Sequence, residues 1–444
     1  MKHKTIKIGL MPGGIDGLVI ERRSRIPEIR FKFLVPRDKA EAVWAKKFLP
    51  QKDFIFYDLI NSRLSMADLD LAGVAKKSNL SQRLKTAGVT HLLVHHGIEP
   101  SFYRWAQDNG ITLIAPDFRL AKQLEDKIWF DNFLAKNNLP APLSQIIRPG
   151  KTALKLKGRV VLQEPSSRGG EGTYFVSTAA EIKKLISAGR IIGSRRYLAR
   201  MFVPGQSYGI TIFVSPSLTA LSALRRQQYG KKNRYQQKDF LGIQWVGAKE
   251  INSKLTSEIN SVFYHLGECL RRLGFVGYAN IDFIATRLGV KILEANPRLA
   301  ASSCQLVLFP ETISQINTGR LYLEAMLSAS RKPAARSTFA AFPRQSNFYG
   351  ATVYIQSPQD KFLIRQQYPG GVYVIDGKKI RFVTPDITKI SRGGRYFIFY
   401  SDTQPGEVLA KGVVLGTVIS NFRLYDHHGQ LNKYGKMILQ HFTY

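Results

Sequence analysis

Four oxygen-bearing side chains crowd into one short stretch, GYANIDFIATRLGVKILEANPR, from Gly277 to Arg298. Two strand-like runs, Ala279 to Ala285 and Val290 to Ala295, flank Arg287-Leu288-Gly289, which suits a three-residue hairpin loop with Gly289 free to take φ > 0. Folding there sets Asp282 opposite Glu294 and Asn280 opposite Asn296. Alternate residues of a strand share a face, so these four point one way and Ile281, Phe283, Leu293 and Ala295 the other. Facing carboxylates repel and cost stability. A hard divalent cation offsets that cost, and Mg²⁺ takes one or two carboxylates together with phosphate oxygens. The plainer reading is a solvated face whose charges spread into water.

A second stretch with chemical potential is RVVLQEPSSRGGEGTYFV, residues 159–176. Val160 to Leu162 and Thr173 to Val176 read as strands around a Ser/Gly loop. Consecutive backbone N–H groups in such a loop form an anion cradle, and glycine lets the backbone approach closely. No Gly-Lys-Ser/Thr follows and no helix opens after it, so it is not a Walker A loop. Arg225 to Lys238, RRQQYGKKNRYQQK, is basic with two tyrosines and reads as a surface loop over an anionic site.

These stretches need elements to hold them. Residues 1–118 alternate strand-like and helix-like runs, with the clearest strands at Thr5 to Met11, Arg30 to Pro36, His91 to Gly97 and Ile111 to Pro116, which argues for a parallel α/β sheet. Gly13-Gly14 is a weak phosphate-loop signal and His95-His96 an ordinary pair at a strand end. Asp117 suits a helix cap ahead of Leu120, Leu124 and Ile128. Ser253 to Leu273 reads as an amphipathic helix with Ile259, Val262, Phe263, Leu266, Leu270 and Leu273 on one face and Gly274 at its stop. Beyond Lys332-Pro333 and Ala334-Ala335, read as a linker, short β runs dominate: Thr352 to Gln356, Val372 to Ile375, Tyr396 to Tyr400 and Val413 to Ile419.

Asp282 with Glu294-Ala295-Asn296-Pro297-Arg298, the Ser/Gly loop, the Asp126-Lys127 pair and the stretch from Tyr197 to Val214 together resemble the ATP-grasp superfamily, in its biotin-carboxylase-like or carboxylate–amine ligase branch. The resemblance covers roughly residues 1–310 in family order. It implies an α/β and α+β chain. An N-terminal Rossmann-like domain (1–118) would precede the ATP-grasp domain (119–335, flexible lobe about 145–200, metal-binding lobe about 201–335), and a small β-rich domain would follow (336–444).

For the site, the resemblance implies Mg²⁺ or Mn²⁺ on Asp282, Glu294 and Asn296. ATP phosphates would lie against Lys127, Gln163 and the loop of Ser166, Ser167, Gly169, Gly170 and Gly172. Adenine and ribose would lie against Met201, Phe202, Val203 and Ser207, with Arg168 and Arg298 in catalytic roles. Three positions depart from the family. Gln163 stands where a Lys is usual, Arg200 where an acid opens the hinge, and Gln206-Ser207 where an acid holds the ribose. Ser302 and Ser303 are candidates for the acceptor side.

The implied activity is ADP-forming ligation, in which a small-molecule carboxylate becomes an acyl phosphate and an amine displaces phosphate. The alternatives are a bicarbonate-using biotin-carboxylase or carbamoyl-phosphate-like enzyme, and a catalytically weak ATP-binding scaffold. The chain has 444 residues and 44% hydrophobic content, enough for several domains. Its 65 Lys+Arg against 32 Asp+Glu leave a net charge of +33, which favours anionic partners. Charge alone speaks for nucleic acid, and the basic residues are spread along the chain. Two cysteines give no disulfide framework, and no apolar run is long enough for a membrane span, so a cytoplasmic protein is expected, with a homodimer compatible.

Overall fold

The computed structural model describes residues 5–10, 19–20, 23–36, 51–57, 71–94, 98–167, 172–232, 238–300, 302–328, 338–343, 348–401 and 403–443. Gly13-Gly14, His95-His96 and the stretch Lys332 to Ala335 lie outside them. Near the N-terminus a five-stranded parallel sheet runs in the order Phe54–Tyr57, Ile29–Pro36, Ile6–Leu10, His91–Leu93, Thr112–Ile114. Four of these strands sit where hydrophobic runs between helices predict them; Phe54–Tyr57 is an additional edge. Parallel strands need crossover helices on their faces, and Leu80–Ala87 and Pro100–Asp108 supply two of them.

Four antiparallel strands, in the order Ser144–Ile147, Tyr197–Met201, Val160–Gln163, Thr173–Val176, form a small separate sheet. The helix Ala179–Ser187 packs beside it, opened by a capping box between Thr178 and Glu181.

A twelve-stranded sheet carries the rest. Its main path begins with the acidic hairpin, Gly289–Asn296 and Gly277–Thr286, and continues through Gln206–Val214 to the basic hairpin Arg225–Lys232 and Lys238–Trp245. From there it passes without a break to Ala351–Gln356, Val414–Ser420, Tyr396–Tyr400, Gly371–Asp376 and Lys379–Thr384. The β-rich C-terminal segment therefore shares a sheet with the segment before it, through Gly242↔Val353, Ile243↔Thr352 and Gln244↔Ala351. Gln244 stitches that junction. Its amide donates to the Gly350 carbonyl at 3.0 Å and accepts from the Leu424 and Tyr425 N–H groups at 3.2 and 3.3 Å.

The helix Ser253–Arg272 covers the acidic hairpin and buries Ile259, Phe263, Leu266 and Leu270. Leu273, expected on that apolar face, is instead the C-cap residue and is 43% exposed, because the chain turns there into Gly274 at φ 80. Cys269 and Cys304 are buried, and neither is in a disulfide. Among the described residues no helix is long and apolar enough to cross a membrane.

Candidate active site

The acidic hairpin closes through Arg287 and Leu288 alone, since Thr286 already pairs with Gly289. The loop is thus one residue shorter than the sequence suggested. Gly289 takes φ 114, and a Cβ there would meet a Glu258 carboxylate oxygen at 2.3 Å. Asp282 pairs with Glu294 and Asn280 with Asn296, in the expected register. One residue further the register slips: Phe283 faces Ile292, leaving Leu293 as a β-bulge. The slip puts Ile292 on the core face and corrects the expected place of Leu293, which lines the cleft beside Asp282 and Glu294.

Arg200 holds the bulge. Its Nη1 donates to the Leu293 carbonyl at 2.6 Å, while Nε and Nη2 donate to Asp131 at 3.1 and 2.9 Å. Burial lowers the Arg200 pKa, and Asp131 opposes that shift. The residue that departs from the family's hinge acid therefore joins the small sheet to the acidic hairpin.

Asp282 and Glu294 hydrogen-bond each other, and Gln227 bonds Asp282. Burial and then the Glu294 charge push Asp282 up to about 8. The residue as a whole keeps some surface toward the cleft, but its carboxylate is enclosed. Behind it Arg225 is 4% exposed, lies over the Trp245 ring at 5.2 Å and donates to Thr211 Oγ1 at 2.6 Å. Burial lowers Arg225 to about 10, with Asp282 pulling the other way. Gln227 Oε1 accepts from the Tyr229 hydroxyl at 2.5 Å and the Ser207 hydroxyl at 3.4 Å. That leaves the amide nitrogen for Asp282. Burial of its hydroxyl, then Asp282 and Glu294, raise the Tyr229 pKa; its ring keeps 37% exposure at the cleft.

Lys127 closes the opposite wall. It is the first residue of the helix Lys127–Lys136, capped by Asp126, and is only 4% exposed. Its Nζ donates to the Ser167 carbonyl at 2.9 Å and hydroxyl at 3.2 Å, and lies 3.4 Å from Glu294 Oε2. One cation thus ties the Ser/Gly loop to the acidic hairpin. The loop's base closes where the Glu164 N–H donates to the Gly172 carbonyl at 2.9 Å, with Gly172 at φ 62.

The cleft holds about 440 Å³, and Gln163, Met201, Phe202, Val203 and Ser207 line it with Lys127 and Ser167. At its apolar end Met201 and Phe202 are 37% and 36% exposed. The N–H groups of these two residues are already used, donating to the Leu143 and Arg159 carbonyls at 2.8 and 2.9 Å. The Arg159 guanidinium lies over Phe175 at 4.9 Å and Phe202 at 4.6 Å.

Other expected residues lie elsewhere. Ser166 is exposed on the loop and outside the cleft lining, and Arg168, Gly169 and Gly170 fall outside the described residues. Arg298 turns to a neighbouring crevice against the parallel sheet, where it donates to Glu125 at 3.1 Å and to Asn296 Oδ1 at 3.2 Å. Asn296 goes with it. Ser303 bonds the Ala300 N–H at 2.8 Å, a local turn contact. Sequence reasoning missed Arg225, Gln227 and Tyr229, because Arg225 to Lys238 reads as a loop whereas Arg225–Lys232 and Lys238–Trp245 are paired strands. The usable signal is their spacing of two, which sets them on one face.

Comparison with known proteins agrees with this geometry. Residues 124–302 match the family model of the ATP-grasp domain. Residues 124–302 are therefore an ATP-grasp domain. The matched span contains Lys127, the Ser/Gly loop and both acidic residues. A tyramine–L-glutamate ligase of Methanocaldococcus jannaschii is 22% identical over 252 residues, covering 56% of this chain and 70% of that protein. The biotin carboxylase domain of Hydrogenobacter thermophilus 2-oxoglutarate carboxylase, solved with MgADP and bicarbonate, superposes with a TM-score of 0.62 at 13% identity, over 93% of this chain and 85% of that one. The purK N5-carboxyaminoimidazole ribonucleotide synthetase, solved with ADP, gives 0.57 at 11% identity with full coverage of both chains. At such identities the structures share the fold.

Proposed function

We propose that this ATP-grasp protein is an ADP-forming ligase that joins a small-molecule carboxylate to an amine, with Mg-ATP as energy source. The observation that carries the reading is the half-buried Asp282–Glu294 pair in one cleft with the loop-binding cation Lys127.

The donor set fits a divalent cation. Two carboxylates this close repel when both ionise, and a divalent cation relieves that cost; both are hard oxygen donors of the kind Mg²⁺ takes. Asp282 and Glu294 would hold the ion, and Asn296 would join them only by leaving Arg298. Among the described residues no third His, Cys, Asp or Glu converges there, which suits a site completed by phosphate oxygens. A bound Mg²⁺ supplies neutralisation of the charge spread over a transferring phosphoryl group.

This chain's own residues would do the rest. Lys127 would pass from Glu294 to a phosphate oxygen, and the Ser167 hydroxyl it holds would follow. Met201, Phe202 and Val203 would enclose the base and Ser207 would face the ribose. A substrate carboxylate oxygen attacks the γ-phosphorus, the bond to the β–γ bridging oxygen breaks, and ADP leaves. The amine then attacks the acyl carbon and phosphate departs. Arg298 in its adjoining crevice would hold the carboxylate by exchanging it for Glu125.

The bicarbonate alternative is not favoured, since the relative found by sequence is a tyramine–L-glutamate ligase and the carboxylases are alike in fold alone. Two buried cysteines outside any disulfide fit a reducing, cytoplasmic setting. Phosphate release from Mg-ATP across a panel of amino acids, amines and small acids, with a bicarbonate arm, tests the proposal. An amine- and carboxylate-dependent release supports it; release driven by bicarbonate alone, or none with any pair, sinks it.

A further inference from the structure

A cavity larger than the candidate nucleotide cleft, about 610 Å³, opens in the C-terminal segment, beneath the two-stranded ribbon Phe362–Leu363 and Val408–Leu409 and against the end of the helix Lys433–Thr443. It shares no lining residue with the cleft of Asp282 and Glu294. Its volume falls in the range of small-molecule sites, roughly 300–1,000 Å³.

Its wall is aromatic. Phe399 and Phe442 stack with ring centres 3.8 Å apart and planes 12° from parallel, and Tyr368 meets Phe442 edge-on at 4.8 Å. Buried Ile355 and Leu415 extend this apolar surface. Its rim is cationic. Lys361 and Arg365 both line the cavity and are exposed, and neither makes an ion pair with a described residue. No carboxylate stands among the described lining residues. Lys361 takes φ 55, a backbone conformation costly for a non-glycine residue, and such outliers mark positions held for a purpose.

An apolar wall with two unpaired cations at its mouth complements one kind of molecule. We infer that this cavity is a second binding site, for a small anion with a flat apolar body. The body packs on the Phe399–Phe442–Tyr368 wall and the anionic group meets Lys361 and Arg365. Such a site, on a sheet continuous with the strands of the cleft, suits an effector of the ligase or a carrier-bound group. The inference stands apart from the reading of the cleft.

Anilinonaphthalene sulfonate, which joins an aromatic body to one sulfonate, is the probe. The full chain is titrated with it by fluorescence, in the presence and absence of Mg-ATP, and the bound probe is competed with naphthoate and with the uncharged naphthol. The expected result is saturable binding at one site, unmoved by Mg-ATP, displaced by naphthoate and poorly by naphthol. The double variant Lys361→Glu/Arg365→Glu, whose changes are on the surface, weakens it about tenfold or more; Leu415→Trp, which fills the cavity, abolishes it. Circular dichroism melts confirm that both variants fold, and the double variant alone decides if the filled one does not. Absence of saturable binding, displacement by Mg-ATP, or an affinity unchanged by reversing the rim charge overturns the inference.

Discussion

Two hairpins reach the candidate site from one sheet, separated only by the strand Gln206–Val214. The acidic hairpin sends Ile281, Phe283, Ile292 and Ala295 into the core and Asp282 and Glu294 to the cleft. Its inward face is apolar, so its period of two shows in the residues themselves. The first strand of the basic hairpin, Arg225–Lys232, buries Arg225 and Gln228 instead. Arg225 is satisfied by Thr211 from another strand, and across the hairpin Gln244 is satisfied by Gly350 and Leu424. A strand whose buried side chains are polar has no apolar alternation, and it reads as a loop. The lesson is that polar burial hides a strand, while its partners make that burial affordable.

Substitutions that separate the two hairpins sharpen this contrast. The largest expected effect is structural. Arg225→Met removes the cation behind Asp282 and leaves the Thr211 hydroxyl oxygen without its donor, and costs about 3–5 kcal/mol of unfolding free energy by urea titration. A loss below about 1 kcal/mol would make Arg225 replaceable and break the comparison. Glu294→Ala does the reverse: phosphate release falls about 10²–10³-fold while the melting temperature holds. A variant that melts early while keeping turnover would move Glu294 from chemistry to scaffold.

Gln227→Ala and Tyr229→Phe come next, since Gln227 acts on Asp282 from beyond the strand Gln206–Val214 and Tyr229 holds Gln227. They raise the Mg²⁺ concentration needed for half-maximal activity about 10–100-fold for Gln227 and less for Tyr229, with little change in stability. An unaltered Mg²⁺ requirement would leave the basic hairpin out of the site.

Acid–base behaviour supplies a finer test. Asp282 moves from 3.8 to about 8 on folding, so its protonated form is favoured in the folded state. Its contribution is present in full below pH 3.8 and is lost as pH rises through about 8. In the metal-free protein the melting temperature should therefore carry a downward slope across that window, which Mg²⁺ reduces and Asp282→Asn removes. A profile identical in wild type and Asp282→Asn would contradict the enclosed acid pair. The smallest effect is expected at the hairpin tip. Leu288 is 96% exposed, and Leu288→Asn should change stability by less than about 0.5 kcal/mol.

The parts legible in advance were local. Asp282, Glu294 and the hairpin register follow from alternation around one glycine turn, and the parallel sheet follows from strand–helix alternation. The bulge at Leu293 was not legible, because a carbonyl bonded by Arg200 stabilises it from 93 residues away. Asn296 bonds its near neighbour Arg298, and it is Glu125, 173 residues away in the chain, that turns Arg298 toward the crevice.

Residue order determined on its own which groups could bind magnesium and phosphate, and which short segments would carry them, because those properties depend on side-chain chemistry and on a repeat of two. Tertiary structure alone decided that Lys127 bridges the Ser167 loop to Glu294, that Arg225 lies sealed behind Asp282, and that the C-terminal strands extend the sheet of the cleft. These outcomes depend on which distant partner satisfies each buried charge or amide, and that choice is made only when the chain has packed.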